Sequence, residues 1–398
     1  MERSFITKLR NICLYAALTI ELLLMIYERS VLPLSSPKLV FRVSFVFTVF
    51  AVLLTRYSVK QWIFIGIAVA VSVLGYKITG NNDLLRFSLF VVACKDADLK
   101  KMLRYFFAVT LIGSLVIAGA SVLGIAGDVK LIDDFGREAG SEVRYTFGFG
   151  HPNTLQSVIF SITVLFIYLI RDYDKTKRNV IMTIILVLNV LVYFVTGSRT
   201  GIMLTVFTIV LAFLVYQFDV LKESKLLYMF GALFIGALVA VSVWAASISK
   251  FARDEEYPFY YKLDRILTGR IQSLYYDTKL HKGALETWSL FGDEFSGNSF
   301  FDMGWVRLFY WYGIIPAVLI LLVVLFLIYR LYLNRDFGVM IMLISISLFT
   351  LVEASFVSSF IGRNYLLPIA GVYLLGDIWE ENRAGKNKVS DKLHTMDS

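Results

Sequence analysis

Residues 249–308 read SKFARDEEYPFYYKLDRILTGRIQSLYYDTKLHKGALETWSLFGDEFSGNSFFDMGWVRL, a polar stretch of about 60 residues in a chain that is otherwise a series of apolar segments. Its flanks read as lipid-embedded helix, so charged groups here and at nearby helix ends have few structural reasons to exist. The 398-residue chain is 58% hydrophobic and 18% charged with a mean hydropathy of +0.69, which excludes a soluble multidomain enzyme and fits a polytopic membrane protein.

Working outward, runs long enough to cross about 30 Å of hydrocarbon as helices lie near 11–27, 38–54, 61–76, 105–125, 152–170, 180–196, 200–216, 227–247, 309–329 and 338–353. Two weaker runs, 83–94 and 362–378, carry Arg86, Arg363 and Asp377 or are short; with them the count is twelve, without them ten. The alternating pattern of a membrane β-barrel is absent. The expected fold is therefore all-α: one transmembrane helical domain over 1–378, with outer loops at 126–149 and 249–308, and a disordered cytoplasmic tail over 379–398.

Lys8, Arg10, Arg56, Lys60, Lys95, Lys100, Lys101, Arg104, Arg171, Lys175, Lys177, Arg178, Lys222, Lys225, Arg330 and Arg335 all fall on one side of a twelve-span arrangement. That side reads as cytoplasmic, with both termini on it. The net charge of +8 lies largely in these short loops, which points to topology and anionic lipid rather than nucleic acid. The first apolar run has a basic flank but no small-residue cleavage site after it, so it reads as a retained span. Cys13 and Cys94 fall in or beside apolar segments and read as core residues.

Three phrases carry candidate chemistry. TFGFGHPNTLQ (Thr146–Gln156) opens a span: Gly148 and Gly150 permit positive φ, Pro152 suits the first helical turn, and His151, Asn153 and Gln156 sit at a helix start. Either it is an ordinary helix entrance, or its orphan N–H groups suit an anionic headgroup. TGSRTG (Thr196–Gly201) separates two spans by almost nothing, which leaves Ser198 and Arg199 at the outer interface among small residues. Arg199 either snorkels to lipid phosphate or grips a diphosphate bidentately.

The long outer loop is the third. Leu263, Ile266, Leu267, Arg270, Leu274 and Tyr275 have helical spacing and predict an amphipathic helix on the membrane. Trp305, Phe309, Tyr310, Trp311 and Tyr312 predict an aromatic belt where the chain re-enters lipid. Arg265, Arg270, Lys279, His281, Lys282 and Arg307 are the cationic candidates, with Asp293, Glu294 and Asp302 as carboxylates. His281 is the loop's only histidine and titrates near neutrality, or is a surface residue. Glu353 and Arg363, near the outer ends of the last two spans, read as a charge pair that is structural or lines the same cavity. HExxH, CxxC and a glycine-rich nucleotide loop are missing from the sequence and the outer loops hold no DxD, which gives no warrant for a metal or nucleotide cofactor.

With TFGFGHPN, TGSRTG and the loop from LTGR to FDMGWVRLFYWYGI in this order, the sequence resembles the bacterial O-antigen polymerase and ligase superfamily over residues 140–370. It looks most like its polymerases of capsular or exopolysaccharide repeat units. The resemblance implies an architecture like that of lipid-sugar-dependent (GT-C-like) glycosyltransferases in the bacterial cytoplasmic membrane, acting on its outer face without metal or nucleotide. It implies transfer of a glycan from undecaprenyl diphosphate to a sugar hydroxyl, with Arg199 and Arg270 holding the diphosphate. It also implies His281 or His151 as proton acceptor and lays the family's HPN phrase on His151, Pro152 and Asn153; Ser198, Arg265, Asp302, Arg307, Glu353 and Arg363 are candidate substrate contacts from their own positions in the sequence. A flippase and a chain-length regulator are the implied protein partners. Two other readings stay open: a ligase moving glycan to a lipid, protein or wall acceptor, and a transporter or flippase of lipid-linked sugars, which shares the twelve-span layout.

Overall fold

The computed structural model describes residues 2–31, 37–134, 140–276, 283–293, 301–354 and 357–376. About 75% of the chain is helical. In order the elements are α1 (Glu2–Glu28), α2 (Pro37–Leu53), α3 (Val59–Thr79), α4 (Asp83–Ala93), α5 (Leu99–Val122), β1 (Lys130–Asp134), β2 (Ser141–Tyr145), α6 (Pro152–Leu169), α7 (Lys175–Thr196), α8 (Arg199–Gln217) and α9 (Asp219–Glu223). They continue with α10 (Leu226–Ile248), α11 (Pro258–Ile266), α12 (Ser273–Tyr276), α13 (Gly304–Tyr312), α14 (Ile314–Asn334), α15 (Phe337–Val352) and α16 (Leu366–Leu375).

Among the described residues eight helices, α1, α3, α5, α6, α7, α8, α10 and α14, are long and apolar enough to cross a membrane. The other four expected spans form helices of 17 (α2), 11 (α4), 16 (α15) and 10 (α16) residues. At about 1.5 Å per residue, a ten-residue helix reaches only about half of the hydrocarbon thickness. α4 and α16 lie against each other, with Gly371 so close to Val91 that a Cβ there would stand 2.3 Å from the Val91 carbonyl oxygen.

The basic loops meet at one end of the bundle. Arg10 donates to the carbonyls of Lys95 and Asp96, and Lys95 to that of Arg56. Lys100 pairs with Asp172 at 2.6 Å and Arg171 with Asp336 at 2.9 Å, while Arg178 donates to the Tyr216 carbonyl. Helices that start at this end are capped by loop carboxylates: Asp98, Asp174 and Asp336 accept the N–H of Lys101, Lys177 and Val339, which satisfies orphan donors.

A buried ionic cluster knits the opposite half. Glu21, fully buried on α1, lies 2.6 Å from Arg86 of α4 and accepts from Ser44 of α2 and from the N–H of Ile361 at 3.2 Å. Arg86, whose charge weakens α4 as a span, is thus neutralised inside the protein and also donates to the Ser359 carbonyl at 2.8 Å. Cys13 and Cys94 are buried free thiols, as expected.

Several expectations are corrected here. The 126–149 loop contains a two-stranded antiparallel hairpin, β1–β2. The predicted amphipathic helix does not run through Arg270: α11 ends at Ile266, and Thr268 (φ 56°) and Gly269 (φ 79°) turn the chain back in left-handed conformations. The residues of the expected aromatic belt are covered by protein rather than exposed: every residue of α13 is buried, and the Trp305 indole donates to the Ser347 carbonyl at 3.0 Å. The span expected at 309–329 starts instead at Ile314, because Gly313 (φ 91°) breaks the helix. A Cβ on Gly313 would stand 2.3 Å from the Gly292 nitrogen, so only glycine admits that crossing. The segment around Ser289 in turn satisfies the first N–H groups of α14, with Ile314 donating to Ser289 and Ile315 to Leu290. His281, Glu294 and the 379–398 tail lie outside the described residues.

Candidate active site

The LTGR segment and the chain after α15 come together at the end of the bundle opposite the basic loops. Asp264, 1% exposed, accepts the N–H groups of Ile271 at 2.8 Å and Gln272 at 3.0 Å and so closes the LTGR turn. Thr268 is β-branched with positive φ, a costly conformation held by its surroundings. Its Oγ1 accepts from Nη1 of Arg270 at 2.6 Å, and Nε of Arg270 donates to the carbonyl of Val352 at 3.4 Å. The guanidinium is therefore buried and aimed by backbone geometry, whereas exposed Arg265 leans on Tyr261.

Glu353 follows directly, in extended conformation at the end of α15. Its half-buried carboxyl accepts no hydrogen bond from a described residue, and Arg29, Arg270, Arg307 and Asp302 are the charges that act on it. Burial pushes its pKa up to about 7; Asp302 adds to the rise, and the three arginines oppose it. Arg307, on α13, is 5% exposed and stacks over Trp311; burial lowers its pKa to about 10, against the pull of Asp302 and Glu353. Arg29, just beyond α1, is also lowered by burial and faces Glu353 and Tyr365. Three guanidiniums around one carboxyl that titrates near neutrality can hold a polyanion and move a proton.

The two remaining motifs form an adjoining group. His151 caps α6: its Nδ1 accepts the N–H of Asn153 at 3.1 Å, and Pro152 opens the helix. Burial, then the Arg144 charge, lowers the His151 pKa, with Asp302 and Asp133 opposing, so the neutral imidazole is favoured. Arg144 of β2 pairs with Glu142 at 2.8 Å and lies over Gly197. Gln156 of α6 packs against Gly201 of α8, and Thr196 donates to its side-chain carbonyl at 3.2 Å. Ser198 is buried; Arg199 is exposed and makes no hydrogen bond, ion pair or ring contact with a described residue.

No family model, curated protein or solved structure matches the chain. Of the expected site residues, Arg270, Arg307, Asp302 and Glu353 converge, and Asp302 links them electrostatically to His151. Arg363 does not pair with Glu353: its ion pair is with Glu28. Among the described residues nothing joins Arg199 to Arg270 by hydrogen bond or ion pair. No group of three or more histidine, cysteine, aspartate or glutamate side chains suited to a metal occurs among the described residues. Sequence reasoning missed Arg29, Arg144 and Asp264. Arg144 lies two residues before the TFGFGHPN phrase and Asp264 three before LTGR, so proximity to the motifs was the available signal; Arg29 carried none.

Proposed function

We propose that this protein is a polysaccharide polymerase that joins undecaprenyl-diphosphate-linked oligosaccharide repeat units on the outer face of the bacterial cytoplasmic membrane, releasing undecaprenyl diphosphate. The observation that carries the reading is the convergence of Arg29, Arg270 and Arg307 on Glu353 at the end of the bundle away from the basic loops. A bacterial membrane enzyme with cytoplasmic termini, twelve helical passes and GT-C-like architecture is the setting that this reading requires, and the clustered basic loops support the orientation.

In this mechanism the acceptor hydroxyl oxygen attacks the anomeric carbon of the donor sugar. The bond from that carbon to the diphosphate oxygen breaks, and the electron pair leaves with the diphosphate. Arg270, Arg307 and Arg29 stabilise the charge that develops, each on the order of 2–4 kcal/mol if aligned as in other oxyanion sites. Glu353 is suited to take the hydroxyl proton at neutral pH, which gives it a role that the sequence suggested for His281 or His151. Neither a metal nor a nucleotide enters the scheme.

The experiment is glycan synthesis by purified protein in liposomes, given native carrier-linked repeat units, with products resolved by size. A ladder that disappears in Arg270→Ala supports the polymerase. Transfer to a different final acceptor without chain extension would instead identify a ligase, and transbilayer movement without new linkages a transporter.

A further inference from the structure

A cavity of about 440 Å³ lies between α3, α4, α14 and α16, with Leu308 and Tyr312 of α13 also in its wall. α4 and α16, of 11 and 10 residues, are too short to cover the hydrocarbon thickness that α3 and α14 cross, and the cavity occupies the gap beside them. Its rim includes Ile67 and Leu322, 59% and 55% exposed at the middle of α3 and α14, so it opens sideways to lipid. Its floor includes Leu308 and Leu375, each 1% exposed. On α14 the lining runs from Pro316 to Leu327, about 16 Å of helix, which matches one leaflet, or half of about 30 Å of hydrocarbon.

The hydroxyls in the walls are already satisfied: Ser72 donates to the Ala68 carbonyl at 2.7 Å and pairs with the Ser88 hydroxyl at 3.0 Å. The open polar groups belong to Tyr312 and Asn364, at the end away from the basic loops. Tyr312 is 3% exposed and its hydroxyl has no hydrogen-bond partner among the described residues. Asn364, 4% exposed, accepts the Leu366 N–H with its side-chain oxygen, which leaves its amide N–H groups without a described partner. A buried donor left unmade is costly, so the ligand that suits this cavity is a hydrocarbon chain with an acceptor at its head. We propose that the cavity seats one acyl chain of a glycerophospholipid, with the ester carbonyl at its head accepting from Tyr312. A polyprenyl chain fits less well, because it far exceeds one leaflet in length and carries no carbonyl. The site does not depend on the polymerase reading. A chain seated there would brace α13 through Leu308 and Tyr312, and α13 also carries Arg307 of the Glu353 cluster.

The test irradiates the full-length protein in detergent with diacyl phosphatidylcholine that bears a diazirine in the middle of one acyl chain, and locates the labelled residues by peptide mass spectrometry. Saturable labelling of buried Leu308 and Leu375 is expected, and Ala370→Phe, which fills the cavity, should abolish it while exposed Leu191 of α7 is labelled as before. Unlabelled diacyl phosphatidylcholine should compete about two- to tenfold better than the diether lipid with the same chains, as expected for one hydrogen bond, and Tyr312→Phe should erase that preference. Absence of label at the buried positions, or its survival in Ala370→Phe, overturns the site. Equal competition by ester and ether lipids overturns the role of Tyr312, and stronger competition by undecaprenyl phosphate than by the diacyl lipid assigns the cavity to the carrier and overturns the proposal. The competition series on the wild type needs no substitution, so it decides the matter even if Ala370→Phe fails to fold.

Discussion

The Asp264 carboxylate accepts the backbone N–H of Ile271 across the LTGR turn at 2.8 Å, with both residues 1% exposed. One buried acid thus shapes the turn that aims Arg270 at the end of α15.

Removing that acceptor strands two N–H groups. Asp264→Ala should cost about 2–4 kcal/mol of local stability and open the 267–272 segment to protease, whereas Asp264→Asn keeps an acceptor in place and should lose less. Equal proteolysis rates for wild type and Asp264→Ala would refute the role.

Arg270→Ala should lower the rate of glycan extension about 10²- to 10³-fold, the range for removing one preorganised charge-stabilising donor. Arg270→Lys should recover little, because an ammonium cannot reproduce bonds to Thr268 Oγ1 and the Val352 carbonyl from two nitrogens of one plane. Initial rates at saturating donor decide this.

Glu353 gives a pH signature. As a base it must be ionised, so activity should rise through about pH 7 and the acidic limb should vanish in Glu353→Gln. Stability runs the other way. A carboxyl raised from 4.5 to about 7 binds more protons when folded, so its contribution falls as pH rises across that window and is lost above it. Thermal melting should therefore show Glu353→Gln gaining on the wild type between those two values. Parallel melting curves across the window would count against the raised carboxyl.

The Glu21–Arg86 pair should be intolerant of single changes. Glu21→Ala leaves a buried guanidinium uncompensated, at about 3–5 kcal/mol, while the double change Glu21→Met with Arg86→Met should recover most of the loss. Melting temperatures in one detergent give both numbers.

Trp305 and Trp62 separate core from lipid-facing aromatics. Trp305→Ala should cost about 3–5 kcal/mol as a core truncation, because that indole is fully buried and hydrogen-bonded. Trp62, 51% exposed on α3, should tolerate alanine with a small change. Similar losses at both would contradict a buried α13.

The long helices were legible in the sequence because sustained apolar runs have few other folded solutions, and the loop lysines and arginines marked which helix ends share a side. TGSRTG and the His-Pro-Asn entrance were legible as helix boundaries because glycine and proline restrict backbone angles locally. Composition could not tell the buried α13 from an aromatic belt, since the same tryptophans and tyrosines suit a lipid boundary and a protein core. Helical spacing through Arg270 misled for a related reason: periodicity does not register a left-handed turn stabilised by Asp264 from outside that turn.

What the sequence by itself determined is therefore an apolar helical chain with its cations sorted into short loops and three polar phrases at helix ends, all properties of neighbouring residues. Only the tertiary structure decided which charges meet. Glu353 faces Arg29, more than 300 positions earlier in the chain, rather than Arg363, and Glu21 meets Arg86 rather than water. The physical reason is that an ion pair inside a helical bundle is set by which helices pack side by side. That packing depends on shape and desolvation summed over many distant contacts, so no local window of sequence contains it.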